Sequence, residues 1–278
     1  MAVDFAVAVE CAPKRYFGDG DYNQGTDDIL TRLKSQNRAQ LLRQMAEQNG
    51  QNPSEMTLTI NVGNQTKKAS LAELQAEAEP LREHEAACIK CPANLRDEPY
   101  GCFGVLNYPI SESAEKWILG RLQPYGTVGA NLCIQFLSEF RVTGQEVHKM
   151  RLAGFFESNI TPKVVLKKGL LKNITVSSDQ LFETILMSGN PLNPGHCFGL
   201  LTWLGAIKVQ GKVPGGAEDQ ERLKLITTMQ TTEEKLKYTE LELGLGQQNI
   251  SPDVSMLQDL MKALYISWIF DIPLQISI

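Results

Sequence analysis

Residues 84–102 read HEAACIKCPANLRDEPYGC and contain three of the six cysteines of the 278-residue chain. The spacing H-x3-C-x2-C-x10-C gives four candidate metal ligands, His84, Cys88, Cys91 and Cys102. His84 and Cys88 are four residues apart, hence on one face of a predicted short helix. The two-residue spacing lets the thiols of Cys88 and Cys91 point at a single ion. The pattern therefore predicts one metal site.

Structural zinc fits this ligand set best, because thiolate sulfur and imidazole nitrogen match its borderline-soft character and four of them complete a tetrahedral site. An iron–sulfur cluster is the alternative, with Cys88, Cys91 and Cys102 as three of its ligands. Its fourth ligand would be Cys133 or Cys197. Three unligated buried thiols are a further interpretation, which the polar, turn-rich surroundings disfavour.

The composition is that of a globular protein, with 42% hydrophobic and 21% charged residues. A formal net charge of -5 provides no general basic field for phosphates, which disfavours nucleic acid as a partner. No window approaches the roughly 20 uninterrupted apolar residues that a membrane-spanning helix needs. The first residues also lack the positive region of a secretory signal. We therefore expect a soluble, cytoplasmic protein.

An α+β fold is predicted, beginning with a mixed domain over residues 1–110 that carries the metal site. The stretch 3–10 is rich in Val and Ala, which is typical of a buried strand. A broken apolar stripe indicates a helix over about 27–48. The sequence MTLTINVGNQTKKAS alternates as a hairpin does, and Ser70 with Glu73 forms a capping box for the next helix.

From residue 111 onward helical patterns dominate, so we predict a mostly helical second domain over 111–278. Within it, residues 173–213 include the stretch ITVSSDQLFETILMSGNPLNPGHCFGLLTWLGAIKVQGKV. Ser177 and Gln180 begin one helix, CFGLLTWLG forms a second helix, and AIKVQGKV supplies a hairpin. This order resembles a winged helix-turn-helix.

The resemblance implies either a DNA-binding regulator or a protein-binding module. In DNA-binding winged helices the second helix presents polar or basic side chains to base edges. Here that helix offers His196 and Thr202 and no Arg or Lys, while Lys208 and Lys212 lie on the predicted wing. The side chains therefore favour the protein-binding alternative.

A thiol-dependent enzyme is another hypothesis that the sequence leaves open. Asn193 can cap a helix with Pro194 at its first position, which places His196 and Cys197 in the first turn. There the helix dipole favours a neutral imidazole and a thiolate. Core residues surround the pair and no orienting acid can be identified. A buried cysteine beside a surface or hydrogen-bonded histidine is the favoured interpretation.

The C-terminal segment from Tyr265 to Ile278 is apolar on more than one face, so we expect its apolar surface to be buried against another protein surface. It can dock on the chain's own core, with LQISI as a final strand. Alternatively it forms an interface with a protein partner or a homo-oligomer, of which a homodimer is the preferred form. Taken together, we predict a zinc-stabilised cytoplasmic protein that acts through protein–protein contacts and is not an enzyme.

Overall fold

Helices and strands are mixed along the whole chain in the computed structural model, which describes residues 2–62, 65–94, 96, 98–122, 127–168, 172–187, 191–209, 229–243 and 251–277. The α+β class is confirmed at this level. The described strands are β1 (Ala2–Val7), β2 (Thr57–Val62), β3 (Gln65–Ser70), β4 (Phe103–Asn107), β5 (Lys163–Lys168), β6 (Lys172–Ser177), β7 (Ile207–Val209), β8 (Thr239–Leu241) and β9 (Leu274–Ser277).

The described α-helices are α1 (Ala12–Phe17), α2 (Tyr22–Asn49), α3 (Leu71–Ala78), α4 (Glu85–Ile89), α5 (Glu112–Gly120), α6 (Val128–Glu139), α7 (Gln145–Met150), α8 (Ser178–Met187), α9 (Pro194–Trp203), α10 (Thr232–Tyr238) and α11 (Pro252–Phe270). Short 3-10 segments cover Pro53–Glu55 and Glu79–His84, and a π-helical turn covers Arg151–Phe155. Among the described helices, none combines the length and the apolar content needed to span a bilayer.

The chain divides into two units at places other than those predicted from the sequence. Unit 1 consists of Met1–Ala8 and Cys102–Ile278, and unit 2 is Val9–Gly101. The predicted division into 1–110 and 111–278 differs because β1 is the middle strand of an antiparallel sheet in the order β4-β1-β9. Hydrogen bonding thus joins the first strand to the second half of the chain, which a local pattern does not reveal.

The C-terminal segment lies in the core of unit 1. Helix α11 packs against α9, β4 and α5, and β9 pairs with β1 in the register Phe5↔Ile276. Trp268, Ile269 and Leu274 are buried. The interpretation with LQISI as a final strand on the chain's own core is therefore confirmed for the described residues. Among the described residues 265–277, no large apolar side chain is exposed, and the predicted homo-oligomer contact stays a prediction.

The winged-helix segment contains the predicted helices but not the expected packing. Helix α9 packs against α6 and α11, whereas α8 packs against α5, α7 and β6. Among the residues of α9, Gly195 alone is exposed, so this helix presents little to a DNA groove. Strand β7 pairs with β8, and the predicted wing residue Lys212 lies outside the described residues. The resemblance to a winged helix remains unconfirmed.

Unit 2 is built around the long helix α2. A small apolar cluster joins α2 to the β2–β3 hairpin and α3 through Ala39, Leu42, Ala69 and Leu74. The predicted capping box begins α3: the Ser70 hydroxyl accepts from the Glu73 N–H, and the Glu73 carboxylate accepts from the Ser70 N–H.

Helix α1 crosses the start of α2 at very short range. A Cβ added to Gly25 would lie 1.8 Å from the Lys14 carbonyl oxygen, so only glycine permits this approach. The N–H of Gly18 donates to the same carbonyl at 3.1 Å. These contacts fix α1 within unit 2, and with it the cysteine that precedes it.

Candidate metal centre

The segment that carries His84, Cys88 and Cys91 contains little regular structure. Helix α4 is five residues long, too short to be stable alone. The N–H of Cys91 donates to the Cys88 carbonyl at 3.1 Å, which makes the expected turn between the two cysteines. The Asn94 amide donates to the carbonyls of Cys88, at 3.1 Å, and Glu98, at 2.9 Å, and so ties the following loop back to the turn.

Three thiols of unit 2 influence one another electrostatically. The pKa of Cys88 is raised to about 11, chiefly because the thiol is buried; the neighbouring thiols of Cys11 and Cys91 contribute to the rise, and the backbone N–H of Tyr100 and the charge of Lys14 oppose it. Burial also raises the pKa of Cys11, again with Lys14 acting in the opposite direction and Cys91 in the same direction.

His84 lies against helix α1. Its ring centroid is 4.4 Å from that of Tyr16 and 5.4 Å from that of Phe17. Its Nε2 atom is buried and has no hydrogen-bond partner. A buried polar atom without a partner costs free energy, and an imidazole nitrogen in that state has a lone pair free to bind a metal ion.

The fourth predicted ligand, Cys102, is the first residue of the unit 1 segment that leads into β4. Its thiol is buried, and its carbonyl accepts from the Val7 N–H at 3.1 Å. All six cysteines are free thiols. In the part of the chain that the structure describes, no three or more His, Cys, Asp or Glu side chains are already arranged to hold a metal ion.

The pair His196 and Cys197 lies at the start of α9, as expected. The Asn193 side chain accepts from the His196 N–H at 2.9 Å, which confirms the predicted cap. However, Cys197 is completely buried, and burial raises its pKa to about 12. Desolvation outweighs the helix dipole here, and a neutral thiol is a poor nucleophile. The geometry therefore does not support the thiol-enzyme hypothesis.

Unit 1 contains a buried charge network that sequence reasoning missed. Arg151 is fully buried and forms ion pairs with Glu115, also fully buried, and with Asp179. The Arg151 Nε donates to Asp179 Oδ1 at 2.9 Å. Ser178 donates from its hydroxyl to Glu115 at 2.7 Å. His148, whose side chain is 49% exposed, reaches Asp179 Oδ2 through its Nδ1 at 3.2 Å.

Every part of the Arg151 guanidinium has a partner in this network. Its Nη1 also donates to the Ser158 carbonyl at 2.7 Å, and its plane lies 4.2 Å from the centroid of the Phe156 ring. Thr161 donates to the second oxygen of Asp179 at 2.6 Å. A buried arginine with two carboxylates satisfies hydrogen bonds as well as charge, which makes such a pair tolerable in a protein interior.

The comparisons with known proteins give no further guide to the function. No protein-family model matches the chain, and no curated protein and no solved structure matches it either. The argument for function therefore depends on the side chains themselves.

Replacing Arg151 with methionine tests whether the network stabilises unit 1. Arg151→Met leaves two buried carboxylates without their countercharge, so we expect the free energy of unfolding to fall by about 3–5 kcal/mol. Urea denaturation followed by Trp fluorescence measures it. The control is Lys149→Met, whose exposed ammonium pairs only with Glu146 on the same helix and which should change stability by less than about 0.5 kcal/mol. Equal losses in both variants would contradict the prediction.

Proposed function

We propose that the chain is a zinc-stabilised protein that acts through protein–protein contacts rather than by catalysis. Cys88 and Cys91 supply two ligands and His84 a third; the fourth is expected from the sequence to be Cys102. The observation that carries the proposal is the hydrogen-bonded turn that joins Cys88 and Cys91, together with a buried His84 Nε2 that has no partner. Thiols and imidazole are the donors that structural zinc prefers.

The stability of unit 2 supports a structural role for the ion. Unit 2 is a small unit, Val9–Gly101, and the Gly101 N–H donates to the Glu98 carbonyl at 3.0 Å in a turn of the segment that follows Cys91. Small domains with little apolar burial are often stabilised by a metal ion. Binding energy at such a site contributes directly to folding.

Zinc is favoured over an iron–sulfur cluster because the cluster would have to recruit either Cys133 or Cys197 as its fourth ligand. Cys133 and Cys197 are both buried in unit 1, on the packed helices α6 and α9. Burial raises the pKa of both thiols, as it does for thiols that only fill space in a core. His84, in contrast, is an additional donor suited to zinc.

The proposed protein contact lies next to the metal ligands. Tyr16 on α1 is 58% exposed and Ile89 on α4 is 50% exposed. Cys88 lies on α4, the His84 ring packs against Tyr16 and Phe17 of α1, and the two helices pack against each other. A metal ion that orders α1 and α4 therefore also orders two exposed apolar side chains. We retain a second copy of the chain as the partner, in a reducing cytoplasm where all six thiols stay free.

The metal content of the purified protein tests the proposal. We expect one zinc per chain by elemental analysis, and loss of that zinc in Cys91→Ser. The matched control is Cys133→Ala, which removes a buried thiol from unit 1 and should keep full zinc content. Iron together with visible absorption and inorganic sulfide would instead identify an iron–sulfur protein, and absence of any metal after reconstitution would reject the site.

Zinc binding should release protons, because the ligand thiols are neutral in the metal-free chain. The pKa of Cys88, about 11, lies far above neutral pH, and that of Cys11 is raised in the same sense. Metal must displace these protons, so the apparent zinc affinity should rise steadily from pH 6 to pH 8. Competition with a chromophoric chelator at several pH values measures this trend. A pH-independent affinity, after correction for the chelator, would show that thiols are not the ligands.

The homodimer part of the proposal depends on the metal as well. Sedimentation equilibrium should show a dimer for the zinc-loaded protein and a monomer after chelation, because the contact residues lie on the helices that the ion orders. Ile89→Glu should give a zinc-loaded monomer, whereas Leu152→Glu, at an exposed apolar position of unit 1, should remain dimeric. A zinc-loaded parent that is monomeric at high concentration excludes the homodimer.

A further inference from the structure

A groove with a volume of about 350 Å³ lies between α2 and α3 on unit 2. Helix α2 lines one side of it, with residues whose spacing places them on one helix face, Gln36, Ala39, Gln40 and Arg43. Helix α3 and the 3-10 segment that follows it line the other side with the same spacing, through Gln75, Ala78, Glu79 and Arg82. Sites for small molecules commonly have volumes of roughly 300–1,000 Å³, so the groove has room for one.

The groove is part of the packing of unit 2 and does not need a ligand to form. The apolar cluster of unit 2 joins α2 to α3. Further along α2, the Ser35 hydroxyl donates to the Glu77 carboxylate at 2.6 Å, and the Arg32 Nη1 donates to the Glu77 carbonyl at 2.8 Å. Two lining positions, Ala39 and Ala78, carry only a methyl group, which leaves the space between the helices open.

Most of the polar side chains that line the groove have no partner within the protein. Among the described residues, none forms a hydrogen bond or an ion pair with the side chains of Gln36, Gln40, Gln75 or Arg43. Arg82, in contrast, pairs with Glu79 at 3.3 Å. The groove therefore presents one guanidinium and three carboxamides whose hydrogen-bonding groups are available to a ligand.

The segment of α2 that carries Arg43 is basic, although the chain as a whole is acidic. Residues 29–46 include four basic residues and no Asp or Glu, whereas the formal net charge of the chain is -5. The one carboxylate that lines the groove, Glu79, is already paired with Arg82. An anion in the groove therefore meets the charge of Arg43 without competition from an unpaired lining carboxylate.

The lining groups define the chemistry of the ligand. A guanidinium binds an oxyanion through two parallel N–H donors. A carboxamide both donates and accepts hydrogen bonds, as a ligand with several hydroxyl groups requires. One unpaired guanidinium matches the single charge of a carboxylate better than that of a phosphate monoester, which is about -1.5 to -2.

We propose that the groove between α2 and α3 binds a small sugar acid, a monocarboxylate with several hydroxyl groups. Arg43 binds the carboxylate, and Gln36, Gln40 and Gln75 bond to the hydroxyl groups. This inference goes beyond the proposed function, because it requires no metal ion and concerns a surface other than the exposed side chains of Tyr16 and Ile89.

NMR titration of the full-length protein with gluconate tests the ligand. Glucose, which lacks the carboxylate, and acetate, which lacks the hydroxyl groups, are the comparison ligands. We expect gluconate to shift the amide signals of residues 36–43 and 75–82 and to bind at least about 10-fold more tightly than either, because each lacks part of the hydrogen bonding. No shifts at about 10 mM gluconate, above the millimolar Kd of a weak site, overturn the inference. Tighter binding of glucose 6-phosphate than of gluconate contradicts the proposed monocarboxylate.

Variants distinguish the groove from general attraction to a basic helix. Arg43→Gln should weaken gluconate binding about 10- to 100-fold, as loss of a charged hydrogen bond does. The matched control is Arg38→Gln, which removes the same charge from α2 outside the groove and should change the affinity by less than about 2-fold because solvent screens it. Equal weakening by the two substitutions overturns the inference.

Filling the groove tests its shape without changing any charge. Ala78→Leu should abolish the gluconate-induced shifts, and circular dichroism checks that this variant is folded. Gln40→Ala, at an exposed position, replaces it if Ala78→Leu does not fold, and should weaken binding because it removes one carboxamide. Binding with the affinity of the parent by the folded variant overturns the inference.

Discussion

Strand β1 bonds to two partners from distant parts of the sequence, and the architecture depends on this double pairing. Its register places Phe5 opposite Gly104 on one side and Ile276 on the other. Phe5 itself occupies the space that a side chain at Gly104 would need: a Cβ there would lie 2.1 Å from the Phe5 ring. Because β1 and β4 are neighbours, the chain leaves unit 1 after Ala8 and re-enters at Cys102 on the adjacent strand. In sequence, unit 2 is therefore an insertion within the single connection between β1 and β4.

The Arg151 network shows how this chain makes buried charge tolerable in unit 1. Each described donor of the guanidinium has an acceptor, and opposite charges meet directly. His84 Nε2 in unit 2 and Trp203 Nε1 in unit 1 are buried without a hydrogen-bond partner. A buried polar atom in that state costs stability.

Local sequence patterns predicted helix caps and the final strand, whereas the pairing between distant strands could not be predicted from the sequence. The capping box at Ser70 forms as the sequence indicates, because it needs only residues three positions apart. The final strand was also predicted from its apolar composition, but its pairing with β1 was not, since register over such separations leaves no periodic signal.

For the candidate site, the two-residue cysteine spacing was visible, whereas Cys11 has no neighbour of its own kind in sequence. The sequence offers only a weak hint of where α1 lies: Gly18 and Gly25 are found where α1 crosses the start of α2. Arg151, Glu115 and Asp179 each sit on a helix where a charged residue is ordinarily solvent-facing, which is why their network could not be foreseen.

The placement of β1 also has a consequence for how the protein is made. Translation proceeds at about 5–20 residues per second, so on the order of tens of seconds separate the emergence of β1 from that of β9. Throughout that interval an apolar strand has one edge without its native neighbour, and such edges readily pair with foreign chains. The inserted residues 9–101 are complete much earlier and have their own core. The nascent chain thus passes through a stage in which residues 9–101 can fold while the sheet formed by β4, β1 and β9 still lacks its last strand.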